Sequence, residues 1–282
     1  MFKVNNLVFR YPKEKKDTIK KISFEVKEGE VFGLLGPSGV GKSTTQKLLI
    51  KILKDYQGEI FYHDQELKQY GPSFYEEIGV GFEMPVLFSK LTAYENIAFF
   101  SNLYQSKADI EELFKKVGLE NDKNKLVSQY SKGMKVRLNF VRALLNNPKM
   151  LFLDEPTNGL DPKNARIIKD MIKDFKSKGG TVLLTTHLMN DVDELCDRVA
   201  FMADGKIVLI DTPKKLKLAY GERLVEIEYG SDEISKKQFS MDGLSSNKQF
   251  LDLLREKIIT IHSKETSLDE IFIKVTGVVS DE

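Results

Sequence analysis

Gly36-Pro37-Ser38-Gly39-Val40-Gly41-Lys42-Ser43 is the stretch on which the fold turns. It has the spacing G-x-x-x-x-G-K-[ST], follows the apolar run Val31 to Leu35, and leads into a helical pattern over Ser43 to Leu53. Glycines let such a loop curl until its amides and the following helix N-terminus point at phosphate oxygens. The lysine then reaches the β- and γ-phosphates and the serine hydroxyl suits a Mg²⁺ ion. A glycine-rich turn that only caps a helix requires neither a preceding strand nor Lys42 and Ser43 at this spacing. The segment therefore predicts nucleotide binding.

A second apolar run, Met150-Leu151-Phe152-Leu153, ends in Asp154-Glu155. Alone, a carboxylate pair after a strand reads as a solvated turn. Beside a phosphate loop, the Asp suits a metal's water shell and the Glu can accept a proton from an attacking water.

Further strand patterns lie at Val4-Leu7-Phe9, Ile22-Phe24-Val26, Glu59 to Tyr62, Thr181 to Thr185 and Val199 to Met202. Asp204-Gly205 predicts a hairpin from Val199–Met202 into Ile207–Ile210. Helical spacing appears over Ile110 to Val117, Gly133 to Leu145 and Pro162 to Phe175, with Asp161 and Pro162 as cap and first helical residue. Alternating strands and helices predict a mainly parallel α/β sheet. Residues from about 91 to 148 carry almost no strand signal and read as a helical insertion in it.

Composition narrows the function classes. With 43 Lys+Arg against 42 Asp+Glu, the charge is too even for a dedicated nucleic-acid binder. Apolar runs of a few residues fall far short of the roughly 20 a membrane helix needs. The opening Met1-Phe2-Lys3-Val4-Asn5 lacks a secretory core, and one cysteine, Cys196, excludes an internal disulfide. A reducing cytoplasm is expected. Residues 1–221 carry 35 Lys+Arg and 29 Asp+Glu, whereas 222–282 carry 8 and 13. With Gly221 as a helix stop after Pro213, this predicts a boundary there and two domains, 1–221 and 222–282.

The ordered motifs resemble those of the ATP-binding cassette (ABC) ATPase subunits of membrane transporters, across residues 3 to about 221. The resemblance rests on Phe9-Arg10-Tyr11-Pro12, the phosphate loop, Gly81-Phe82-Glu83-Met84-Pro85, Tyr130-Ser131-Lys132-Gly133-Met134, Asp154-Glu155, Gly159-Leu160-Asp161-Pro162 and Thr185-Thr186-His187. It implies an α/β, P-loop NTPase cassette: a RecA-like sheet core, an N-terminal β-rich part, a helical subdomain, and here a small C-terminal α/β extension. It also implies site roles. Tyr11 would stack on adenine, and Gly36, Pro37, Ser38, Gly39, Val40, Gly41, Lys42, Ser43 and Thr44 would hold the phosphates of ATP. Ser43, Asp154 and Glu83 would serve Mg²⁺, Glu155 would be the catalytic base, and His187 would stabilise the γ-phosphoryl charge. Ser131 and Gly133 of the signature loop, with Asp161 of the dimer-contacting loop, would complete the site of a second copy.

Two motifs depart from the family pattern. Glu83 stands where a Gln is usual, and Lys132 and Met134 replace the signature's Gly and Gln. The ending Ser267-Leu268-Asp269-Glu270-Ile271-Phe272 resembles the exporter-type branch. The resemblance thus implies an ATPase, a separate membrane permease, a second cassette and a place at the cytoplasmic face of the membrane. It leaves open whether the C-terminal extension dimerises, regulates or only stabilises, and whether the chain instead holds ATP with little turnover or is a non-transport ABC ATPase.

Overall fold

The computed structural model describes residues 1–230 and 234–277. They divide into two compact units, one over Met1–Ile210 and one beginning at Asp211. The division falls ahead of the break expected at Gly221, because helix Pro213–Tyr220 joins the second unit, where Lys274 Nζ donates to the Tyr220 carbonyl at 3.1 Å.

In the first unit, a six-stranded sheet runs in the order Lys206–Asp211, Arg198–Ala203, Val31–Leu35, Thr181–Thr186, Met150–Asp154, Ile78–Gly81. Val31–Leu35 pairs in parallel with both of its neighbours, and the pairing stays parallel out to Ile78–Gly81. The central strands are buried along their whole length, as expected of a parallel sheet covered on both faces. Asp204 and Gly205, at φ 47° and 72°, make the tight turn into Lys206–Asp211.

A second, antiparallel sheet has the order Ile19–Val26, Phe2–Phe9, Gln57–Tyr62, Gln65–Glu66. Its inward side chains share one core with the parallel sheet. Phe2 meets Phe152 edge-on at 5.6 Å and Phe24 stacks on Phe32 at 5.6 Å. Between Ile78–Gly81 and Met150–Asp154 the elements are helical, chiefly Ala93–Ser101, Ile110–Lys116 and Lys132–Ala143, so the predicted insertion is present. Thr92 and Glu95 form a reciprocal capping box on the first of these. Cys196 is buried, its thiol pushed up by burial, and a side chain at Gly33 would meet its sulfur at 2.9 Å. It is a packing residue.

The second unit holds a three-stranded antiparallel sheet in the order Ser235–Ser240, Arg223–Tyr229, Ile258–Glu265, with helices Pro213–Tyr220, Lys248–Leu253 and Leu268–Thr276. Its small core is Val225, Ile227, Phe239 and Leu253.

Candidate active site

Four loops that carry expected chemistry leave the carboxyl ends of strands in the parallel sheet. Gly36 follows Leu35, Glu155 follows Asp154, His187 follows Thr186, and Phe82-Glu83 follow Gly81. This is the edge at which open α/β sheets bind ligands.

The phosphate loop depends on glycine at two places. Gly36 (φ 153°) lies against the Met202 carbonyl oxygen, with which a Cβ would collide. Gly41 (φ 108°) caps helix Lys42–Leu49, and a Cβ there would sit 2.6 Å from Ile19 Cδ1. Inside the curl, Lys42 is 6% exposed and donates to the carbonyls of Gly36 (2.6 Å) and Pro37 (3.0 Å). Burial holds its pKa below the ordinary lysine value, although Glu155, Asp154 and Glu83 each pull it back up.

Ser43 Oγ donates to Asp154 Oδ1 at 3.0 Å, and Thr185 Oγ1 donates to the same oxygen. Glu155 stands at φ 47°, a left-handed conformation unusual for a residue with a side chain. Its amide bonds to the Thr185 carbonyl at 2.9 Å. Its carboxylate turns back over the phosphate loop, with Oε1 2.9 Å from His187 Nδ1 and 3.8 Å from Lys42 Nζ. A cavity of ≈ 230 Å³ joins these groups, lined by Ser38, Gly39, Gly41, Lys42, Ser43, Thr44, Glu83, Glu155, Asn158 and His187. Glu83 is held in place through the preceding carbonyl, since Asn139 Nδ2 donates to Phe82 O at 2.8 Å.

Asn158 was not anticipated from the sequence. It closes the turn after Glu155, its amide bonded to the Glu155 carbonyl at 3.2 Å. The signal was its place three residues beyond the Glu in Glu155-Pro156-Thr157-Asn158.

Tyr11 lies beside the same loop, its hydroxyl 3.2 Å from Thr44 Oγ1 and its ring edge-on to Phe9. Ser131, Gly133 and Asp161 are not among the cavity's lining residues. Ser131 caps helix Lys132–Ala143, accepting from the Met134 amide, and Gly133 lies against Asn164. Asp161 caps helix Pro162–Ser177. The Asn164 amide and side chain hold its carboxyl below the usual range. Lys132 extends its ammonium against Gly159, so the signature loop and the dimer-contacting loop are neighbours within one chain.

Comparison with known proteins agrees with this geometry. The family model "ABC transporter" matches residues 19–158, and the model "Fluoroquinolone efflux ABC transporter C-terminal domain" matches 223–265. A fluoroquinolones export ATP-binding protein of Mycobacterium tuberculosis is 52% identical over 98% of this chain and 93% of its own length. The lantibiotic transport ATP-binding protein SrtF of Streptococcus pyogenes is 36% identical over 74% of this chain and 90% of its own. Among solved structures, the ATP-binding subunit of an ABC transporter superposes with a TM-score of 0.70 at 28% identity, covering 77% of this chain and 92% of the other. The dimeric post-hydrolysis cassette MJ0796, bound to ADP and phosphate, gives 0.68 at 28% identity, covering 75% and 98%. The chain belongs to the ABC transporter family as one of its ATP-binding, ATP-hydrolysing subunits.

Proposed function

We propose that this subunit drives export through a separately encoded membrane permease, working at the cytoplasmic face of the membrane as one of two paired cassettes. The observation that carries the reading is a division of labour. Lys42, Ser43, Glu83, Glu155 and His187 converge on one cavity, while Ser131 and Gly133 stand outside it. A second copy, or a paralogue, would bring those two to the γ-phosphate, so that two ATP molecules hold two cassettes together and hydrolysis releases them. Glu155 is the base in this scheme, His187 and Lys42 stabilise the phosphoryl charge, Asp161 belongs to the contact between copies, and Tyr11 stacks on the base.

The oxygen donors suit Mg²⁺. Ser43 Oγ and Asp154 Oδ1 are hard ligands 3.0 Å apart, and no group of three or more His, Cys, Asp or Glu forms a metal cage among the described residues. A site with few protein ligands fits an ion carried largely by substrate phosphates. When bound, Mg²⁺ would neutralise charge on the β- and γ-phosphates. The chain itself orients Glu155 and supplies the Lys42 cation.

Two observations support the permease partner. Among the described residues no helix is long and apolar enough to cross a membrane. An apolar groove also opens beside Glu83, lined in part by Tyr75, Phe82, Val86, Phe100 and Leu103, with Met84 and Leu103 largely exposed. Arg142 stacks over Phe100 and donates to the Val86 carbonyl at 2.7 Å. Apolar surface next to a catalytic loop is suited to a partner that senses nucleotide. The likeness of both domains to the fluoroquinolone exporter points to amphiphilic antibiotics of that class as cargo.

The deciding experiment is reconstitution with a candidate membrane permease. ATP-dependent removal of a fluoroquinolone from vesicles or cells, lost in Glu155→Gln, is expected. Phosphate release without any cargo movement would refute the export reading, and the absence of phosphate release would favour a module that only holds ATP.

A further inference from the structure

Next to the phosphate-loop cavity, a buried carboxylate ties together three segments that carry its chemistry. Asp191, 8% exposed, lies on helix Met189–Leu195, four residues beyond His187. Its Oδ2 accepts from the hydroxyl of Thr157, two residues beyond Glu155, and its Oδ1 lies 2.6 Å from Lys169 Nζ. Lys169 belongs to helix Pro162–Ser177, which Asp161 caps. Thr157 is itself 4% exposed. Burial would lower the Lys169 pKa, but its hydrogen bonds to Asp191 and Glu194 outweigh that and hold it above the ordinary value.

Stability alone is a poor reason for this arrangement, because a buried ion pair is often matched or bettered by apolar side chains of the same volume. What it supplies is geometry. Glu155 occupies a left-handed backbone and needs support on both sides. The Thr185 carbonyl holds its amide on the sheet side. On the other side, the Thr157–Asp191 bond joins the same two segments as the Glu155–His187 contact and runs alongside it. We propose that Asp191 is a positioning residue of the ATPase site: through Thr157 it fixes Glu155 against His187, and through Lys169 it links that contact to the Asp161 loop. The inference rests on Glu155 and His187 being the reacting pair.

The test is steady-state phosphate release and ATP affinity on the full chain. Thr157→Val removes the donor at nearly constant volume, Thr157→Ser keeps it, and Asp191→Asn keeps shape and an acceptor but not the charge. Thr157→Val is expected to lower kcat about tenfold with ATP affinity and thermal midpoint unchanged, and Thr157→Ser to restore it. The Thr157→Val/Asp191→Asn pair should lose about as much as the worse single variant, since both act on one element. Wild-type kcat in Thr157→Val, or equal losses of kcat, affinity and midpoint in Val and Ser alike, would overturn the proposal. Full turnover in Glu155→Gln would instead overturn the assignment beneath it.

Discussion

Glu155 Oε1 lies 2.9 Å from His187 Nδ1 and 3.8 Å from Lys42 Nζ, so one carboxylate oxygen bridges the lysine of the phosphate loop and the histidine at the end of the neighbouring strand. In the proposed scheme a γ-phosphate in this cavity would face the Lys42 ammonium and the His187 ring, with the Glu155 carboxylate beside the attacking water.

Glu155→Gln keeps the size and one acceptor of the side chain but removes its capacity to take a proton. Phosphate release is expected to fall about 100-fold or more, while ATP binding persists and the nucleotide-held pair of cassettes accumulates. Phosphate release together with light scattering in ATP checks both halves of this expectation.

Lys42 illustrates strain held at a functional site. Its folded pKa is lowered, chiefly by burial, so the protonated form is less favourable in the native protein than in the unfolded chain. Below the folded pKa that penalty is fully present, and it is relieved only as pH rises toward the ordinary lysine value of 10.5. Lys42→Met is therefore expected to abolish ATP binding without lowering the thermal midpoint of the nucleotide-free protein at pH 7. Calorimetric titration and thermal melting of the same sample test this, and a midpoint lowered by several degrees would contradict it.

Much of this site was legible because its chemistry demands residue types at fixed spacing. Gly36, Gly41, Lys42 and Ser43 cannot be exchanged without losing the curl or the charge, and Asp154 announces itself by ending an apolar run. Strand Ile78–Gly81 was missed because two of its four residues are glycine, one of which, Gly79, lies so close to the Ala143 carbonyl that a side chain would not fit. Strand Ser235–Ser240 was missed because only Phe239 turns inward, leaving no alternation to read. Asn158, Thr157 and Asp191 carry no motif of their own. Their roles come from contacts between separate segments, such as Thr157 with Asp191 across 34 residues, which periodicity does not encode.

Glu194 offers a pH test outside the cavity. Hydrogen bonds from Lys173 and Lys169 hold its carboxyl at about 2, and Arg166 lies 2.9 Å away. A depressed carboxylate adds stability above its unfolded pKa of 4.5 and loses it as pH falls toward 2. Because the group is partly solvated, Glu194→Gln is expected to cost only about 1 kcal/mol at pH 7. That difference should shrink between pH 4.5 and 2, a range that urea titrations at stepped pH would cover. A deficit that persists unchanged at pH 2 would mean the loss is one of packing.

Glu83 is the departure that changes charge beside the chemistry. It shares the cavity with Ser43 and Glu155, and with Glu155 and Asp154, which act more strongly, it partly offsets the lowering of the Lys42 pKa by burial. A γ-phosphate about 5 Å from a carboxylate, at an effective dielectric near 20, would be repelled by about 3 kcal/mol per charge pair. A divalent cation between the two groups would turn that repulsion into attraction, and would make such a site more dependent on Mg²⁺ than one carrying a neutral amide. Glu83→Gln is accordingly expected to remain an active ATPase at saturating Mg²⁺, with kcat within about threefold of the parent, because Lys42, Glu155 and His187 are untouched. The Mg²⁺ concentration for half-maximal rate should rise about threefold or more, since an anionic oxygen ligand has been lost. At limiting Mg²⁺ the ATP requirement should move the other way, relieved of the like charge. Matched Mg²⁺ titrations of phosphate release read both effects, and superimposable curves would mean that Glu83 serves the loop or the membrane partner and has no part in holding the metal.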